Sequence, residues 1–106
     1  MNTLAQNIDA IGDWAEDRNL VRGSNPQAQT VKLLEECGEL AGGVARHNLP
    51  VIEDSIGDVI VVLAILCLQT GLDFETCVAK AYDEIKDRKG RMVDGVFIKE
   101  NDVQAA

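Results

Sequence analysis

At 106 residues the chain has the length of one domain, with a core small enough that self-association would add stability. Its 18 acidic against 10 basic residues leave a net charge of -8, which repels a phosphate backbone and argues against duplex nucleic acid as a partner. Cys37, Cys67 and Cys77 form neither a CxxC nor a zinc spacing, and their odd number suits reduced thiols. The first ten residues lack the basic and apolar regions of a signal peptide, and the longest apolar run, residues 59–68, is about half of a membrane span. A soluble, cytoplasmic protein without a membrane partner is expected.

Leu4, Ile8, Ile11 and Trp14 recur at helical spacing opposite Asp9, Asp13, Glu16 and Asp17, so residues 3–19 read as an amphipathic helix. Arg22, Gly23 and Ser24 break that pattern. Asn25 before Pro26 is a cap followed by a favoured first-turn proline, which opens a second helix over residues 26–47. Pro50 starts a third, which Gly71 ends. The turn between these two spans about three residues, so they are expected to pair as an antiparallel hairpin. A fourth helix is expected over residues 74–89, capped by Asp73 and closed by Gly90. Beyond it a polar C-terminal tail is expected over about 91–106, in which Asp94-Gly95 amid apolar residues suggests a turn or short strand. The expected fold is all-α, a single domain with a core of about 24–90, built as a four-helix-type protomer. Because residues 59–68 are apolar on nearly every side, one face of the third helix should need a cover, and a homodimer or homotetramer is expected.

Two acidic clusters dominate the chemistry. Glu35, Glu36 and Glu39 lie on the second helix, and Asp54 and Asp58 follow at the start of the third, 15 residues after Glu39. Residues three and four apart share a helix face, so each cluster concentrates like charges, and the hairpin brings the clusters opposite one another. Repulsion at such a seam becomes binding energy when a divalent ion is present. An all-oxygen donor set without histidine or thiolate selects Mg²⁺, with Mn²⁺ as a substitute, over zinc or copper. A di-iron centre would need two Glu-x-x-His pairs, and the sole histidine, His47, stands eight residues from Glu39. The plain alternative is a solvated acidic face, a reading that fits Glu35 better than Asp58, which leads directly into the apolar run.

The pattern E-E-x-x-E, followed after a spacer by Gly57-Asp58 heading an apolar helix, resembles the MazG-like all-α nucleoside triphosphate pyrophosphohydrolases over residues 31–99. The resemblance implies Mg²⁺-dependent cleavage of a nucleoside triphosphate between its α and β phosphates, giving the monophosphate and pyrophosphate. It implies Glu36, Glu39 and Asp58 as metal ligands and Glu35 as the residue that orients or deprotonates the attacking water. Ser55 stands where the family has a further glutamate. Asp54 is the candidate replacement, with Glu53 a weaker one.

Lys80, Lys86, Arg88 and Lys89 on the fourth helix are candidates for phosphate oxygens, although a basic last turn of Lys86, Arg88 and Lys89 also simply complements the helix dipole. Trp14 is either a core residue or a platform for the base. The rival to the enzyme is a non-catalytic oligomerisation or interaction module whose acidic seam holds a cation for structure.

Overall fold

The computed structural model describes residues 1–101 of the chain; positions 102–106 of the expected tail lie outside the described residues. The chain forms two compact units, one through Glu75 and one from Thr76 onward.

The first unit is built on three helices, α1 (Leu4–Asp17), α2 (Pro26–Ala45) and α3 (Leu49–Thr70). Each starts where the local chemistry directs it. Thr3 and Gln6 form a capping box at α1, in which the Thr3 hydroxyl accepts from the Gln6 N–H at 3.1 Å and the Gln6 side chain accepts from the Thr3 N–H at 2.8 Å. The Asn25 side chain accepts from the Ala28 N–H at 2.7 Å, with Pro26 beside it in the first turn. Asn48 caps α3 in the same way.

The bend between α2 and α3 occupies Arg46, His47 and Asn48, with His47 in a left-handed conformation at φ 54°. So α2 ends at Ala45 and α3 begins at Leu49, each within two residues of the expected boundary. The helices meet closely there. A Cβ on Gly43 would come within 2.9 Å of Val51 Cγ1, so glycine is what lets α2 reach the first turn of α3. Gly71, at φ 72°, ends α3 with its N–H donating to the Cys67 carbonyl.

α3 packs against both α2 and α1. Ala15, Val21 and Ile65 form a small buried core with Leu20 and Val61 against it. The Gln69 amide ties the loop after α1 to the end of α3 by donating to the carbonyls of Leu20 and Val21. Along residues 59–68 every side chain but Leu68 is buried or half-buried, so the uncovered apolar surface lies elsewhere than expected. It includes Leu34 and Val44 of α2 and Leu49 and Ile56 near the start of α3, all more than half exposed.

The helix α4 (Phe74–Ile85) begins within the first unit and continues into the second. It is shorter than expected. Lys86, Arg88 and Lys89 follow its last residue, and Gly90 opens a strand instead of closing the helix. The strands β1 (Gly90–Val93) and β2 (Val96–Lys99) pair antiparallel, with Gly90 opposite Lys99 and Val93 opposite Val96. Asp94 and Gly95 both have positive φ, 50° and 81°, the geometry of the tight turn that Asp-Gly favours. No helix among the described residues is long and apolar enough to cross a membrane.

Candidate active site

Gln29, Glu36 and Gly43, seven residues apart, form the buried row of α2, and this row carries a carboxylate inward. On α3, Ser55, Val62 and Ile65 are buried, with Asp58 half-buried one turn after Ser55. One oxygen each from Glu36, Glu39 and Asp58 lies within 4.8 Å of the other two. The hairpin thus joins the two acidic clusters that the sequence separates.

Three carboxylates at this spacing are unfavourable by themselves, and the structure records the consequence. Burial pushes the Asp58 carboxyl above its ordinary value, and the charges of Asp54 and Glu36 beside it push the same way. Asp54 is within hydrogen-bonding reach of Asp58 but outside the three-way cluster. One oxygen of Glu36, Oε2, is buried without a hydrogen-bond partner. A glutamate with a buried, orphaned oxygen, grouped with two further carboxylates, is the environment that a hard cation satisfies.

One residue of this site escaped the sequence reading. Lys32 Nζ lies 3.4 Å from Glu35 Oε2 and 3.5 Å from Glu36 Oε1. The hydrogen bond and charge of Glu35, then those of Glu36, hold the Lys32 ammonium above its ordinary value. The signal was present in its spacing, three and four residues before the two glutamates on one helix. Glu35 itself is exposed and bonded only to Lys32 among the described contacts.

An open cleft of about 1060 Å³ is lined by Asp58 of this cluster, but not by Glu36 or Glu39. Its α3 wall includes Glu53, Asp54, Gly57 and Asp58, and its α1 wall is Asn7, Ala10, Ile11 and Trp14. Trp14 is therefore a wall residue, 43% exposed, and the buried residue of α1 is its neighbour Ala15. Ser55 is 1% exposed and sealed in the seam between helices, whereas Asp54 opens onto the cleft.

The four basic candidates belong to the second unit. Lys86 pairs with Asp83 at 3.2 Å and Arg88 with Glu84 at 3.5 Å, while Lys80 and Lys89 are exposed. Only Lys80 lies within α4, so the cluster is not a helical last turn.

Comparison with known proteins places this geometry in a family. A Haemophilus phage HP1 (strain HP1c1) protein described as "Uncharacterized 18.2 kDa protein in rep-hol intergenic region" is 55% identical over 73 residues, covering 69% of this chain. The chain spans only 45% of the length of that relative. No solved structure matches this chain. The MazG nucleotide pyrophosphohydrolase domain matches residues 24–93, which include both acidic clusters, and with more than half of its length matched the chain belongs to the MazG nucleotide pyrophosphohydrolase family.

Proposed function

We propose that the protein hydrolyses a nucleoside triphosphate, of the ribo or deoxyribo series, between its α and β phosphates, releasing the monophosphate and pyrophosphate. The observation that carries this reading is the meeting of Glu36, Glu39 and Asp58 across the α2–α3 seam, with Glu36 Oε2 buried and unpartnered. These three residues would hold Mg²⁺, or Mn²⁺ in its place, with Asp54 as the fourth carboxylate. When bound there, the ion neutralises phosphate charge and lowers the pKa of a coordinated water.

The remaining steps fall to the chain's own side chains. Glu35 is solvent-accessible and adjoins the cluster, so its carboxylate can accept the proton of a water aligned with the α phosphorus. Lys32 balances Glu35 and Glu36 in the free protein, and the arriving triphosphate offers its ammonium oxygens of higher charge. Lys32 is thereby the basic residue whose pairing with the site's own glutamates supports a role as phosphate ligand. Trp14, on the cleft wall, receives the base.

A panel of ribo- and deoxyribonucleoside triphosphates, incubated with Mg²⁺, is expected to yield monophosphate and pyrophosphate from at least one member. Excess chelator should remove the activity. Diphosphate and orthophosphate as first products would move the cleavage to another bond, and no product from any triphosphate would leave the non-catalytic module with a structural cation.

Asp54 and Ser55 are distinguished by their exposure. Asp54→Asn should weaken Mg²⁺ binding by about 10–100-fold, the usual effect of losing a supporting carboxylate, while Ser55→Ala should alter it little. Calorimetric titration of both variants checks the ranking, and a reversal would give the fourth position to Ser55.

We further propose that the protein is a homodimer or homotetramer. Its support is the exposure of the large apolar side chains Leu34, Val44, Leu49 and Ile56.

A further inference from the structure

The two walls of the cleft differ in kind. Glu53, Asp54 and Asp58 make the α3 wall acidic, whereas the α1 wall offers an indole, an amide and aliphatic carbon. Asn7 and Trp14 are seven residues apart on one helix, so they share a face about 10.5 Å apart along its axis. Only Ala10 and Ile11 stand between them in the wall. The cleft therefore has an indole and an amide at the two ends of its α1 wall.

Trp14 is exposed but held. The Arg18 guanidinium lies 4.7 Å from the centre of its ring, and Arg18 Nη1 donates to the Trp14 carbonyl at 3.2 Å. A cation on one face of the indole leaves the opposite face for a flat partner, and a side chain already fixed loses less entropy on binding it. Asn7 Oδ1 accepts from Asn2 Nδ2 at 3.1 Å, which leaves the Asn7 Nδ2 hydrogens for another acceptor. Asn7 brings to this cleft an uncharged amide donor for an acceptor on a base edge, whereas the ionised carboxylates of α3 can only accept.

We infer that α1, which lies outside the segment matched by the family, carries a nucleobase subsite in which the base stacks on Trp14 and an acceptor on its edge binds Asn7 Nδ2. Asn7 then sets the preference among bases. The inference rests on the proposed triphosphate substrate and adds which residues choose it. A site that buries a hydrogen bond to the preferred base penalises a base that cannot make it, whereas stacking tolerates every base.

Trp14 is the only tryptophan, so its emission reports the subsite directly. Non-cleavable α,β-methylene nucleoside triphosphates, titrated into the full chain with Mg²⁺, should quench it saturably, with Kd values that differ by about tenfold or more between bases. Inorganic triphosphate should not quench. Asn7→Leu, at an exposed helical position, should bring those Kd values within about threefold of one another and raise KM for the preferred substrate. Asn7→Gln, which keeps the amide, should restore part of the spread. Equal quenching by inorganic triphosphate, or an unchanged spread in Asn7→Leu, overturns the assignment. Pyrophosphate release without any quench places the base elsewhere and leaves the catalytic reading intact; base-dependent quenching without pyrophosphate release keeps the subsite and removes the catalytic reading.

Discussion

Replacing Asp58 by asparagine is expected to cost activity on the order of a thousandfold while leaving the metal-free protein as stable as before, or more so. In the free protein this carboxyl is partly desolvated and faces Asp54 and Glu36, so its ionised form opposes folding. Asparagine keeps the shape and removes the charge. The same change should abolish the thermal stabilisation that Mg²⁺ gives the wild type, because a ligand stabilises only through its affinity for the folded state, about 2.7 kcal/mol at a hundredfold excess over Kd.

The pH dependence follows with a fixed sign. A carboxyl whose pKa is raised on folding contributes stability that is present below its ordinary value of 3.8 and lost as pH rises through the folded value. Melts in chelator should therefore show little difference between wild type and Asp58→Asn in the acid range, and a growing advantage for the variant toward neutral pH. A metal-free variant that melts many degrees lower, and is still protected by Mg²⁺, would make Asp58 a structural residue and remove it from the site.

Leu34→Glu combined with Ile56→Glu should convert the proposed oligomer to a folded protomer of 11.5 kDa. Both side chains are more than half exposed in the single chain, where a surface substitution typically changes stability by less than about 0.5 kcal/mol. Across a self-associating interface, each new carboxylate would be buried against apolar surface or against its own copy, at a cost of several kcal/mol. A chain of net charge -8 meets a second copy most easily through apolar surface, and both side chains are exposed and apolar. Light scattering gives the mass and far-ultraviolet circular dichroism the helicity. A wild type that is already a monomer at micromolar concentration would contradict the interface, and an unchanged mass in the variant would move it to another face.

The capping and breaking residues determined much of the fold locally. Thr3, Asn25, Pro26, Asn48 and Gly71 act within one turn of their own position, so α1 to α3 and the short bend between α2 and α3 were legible from neighbours in the chain. The acidic motif was legible for the same reason, since three-four spacing and a short hairpin suffice to bring Glu36 and Glu39 toward Asp58. Where α4 stops was not. Its basic extension reads as helix by composition, but Gly90 pairs with Lys99 nine residues on, and that ladder competes with further helical turns.

Burial was likewise decided in three dimensions. Trp14 and Ala15 are adjacent, and periodicity favoured the larger residue for the core; the crossing of α1 over α3 buries Ala15 and turns the indole to the cleft. Ser55 and Asp54 are also adjacent, yet one is sealed in the helix seam and the other opens beside Asp58. A sequence determines which residues share a helix face, because that depends on 100° per residue. Which face meets another helix, and which meets a ligand, depends on where the helices cross, and here that was set by contacts such as Gly43 against Val51 and Gln69 against the loop after α1.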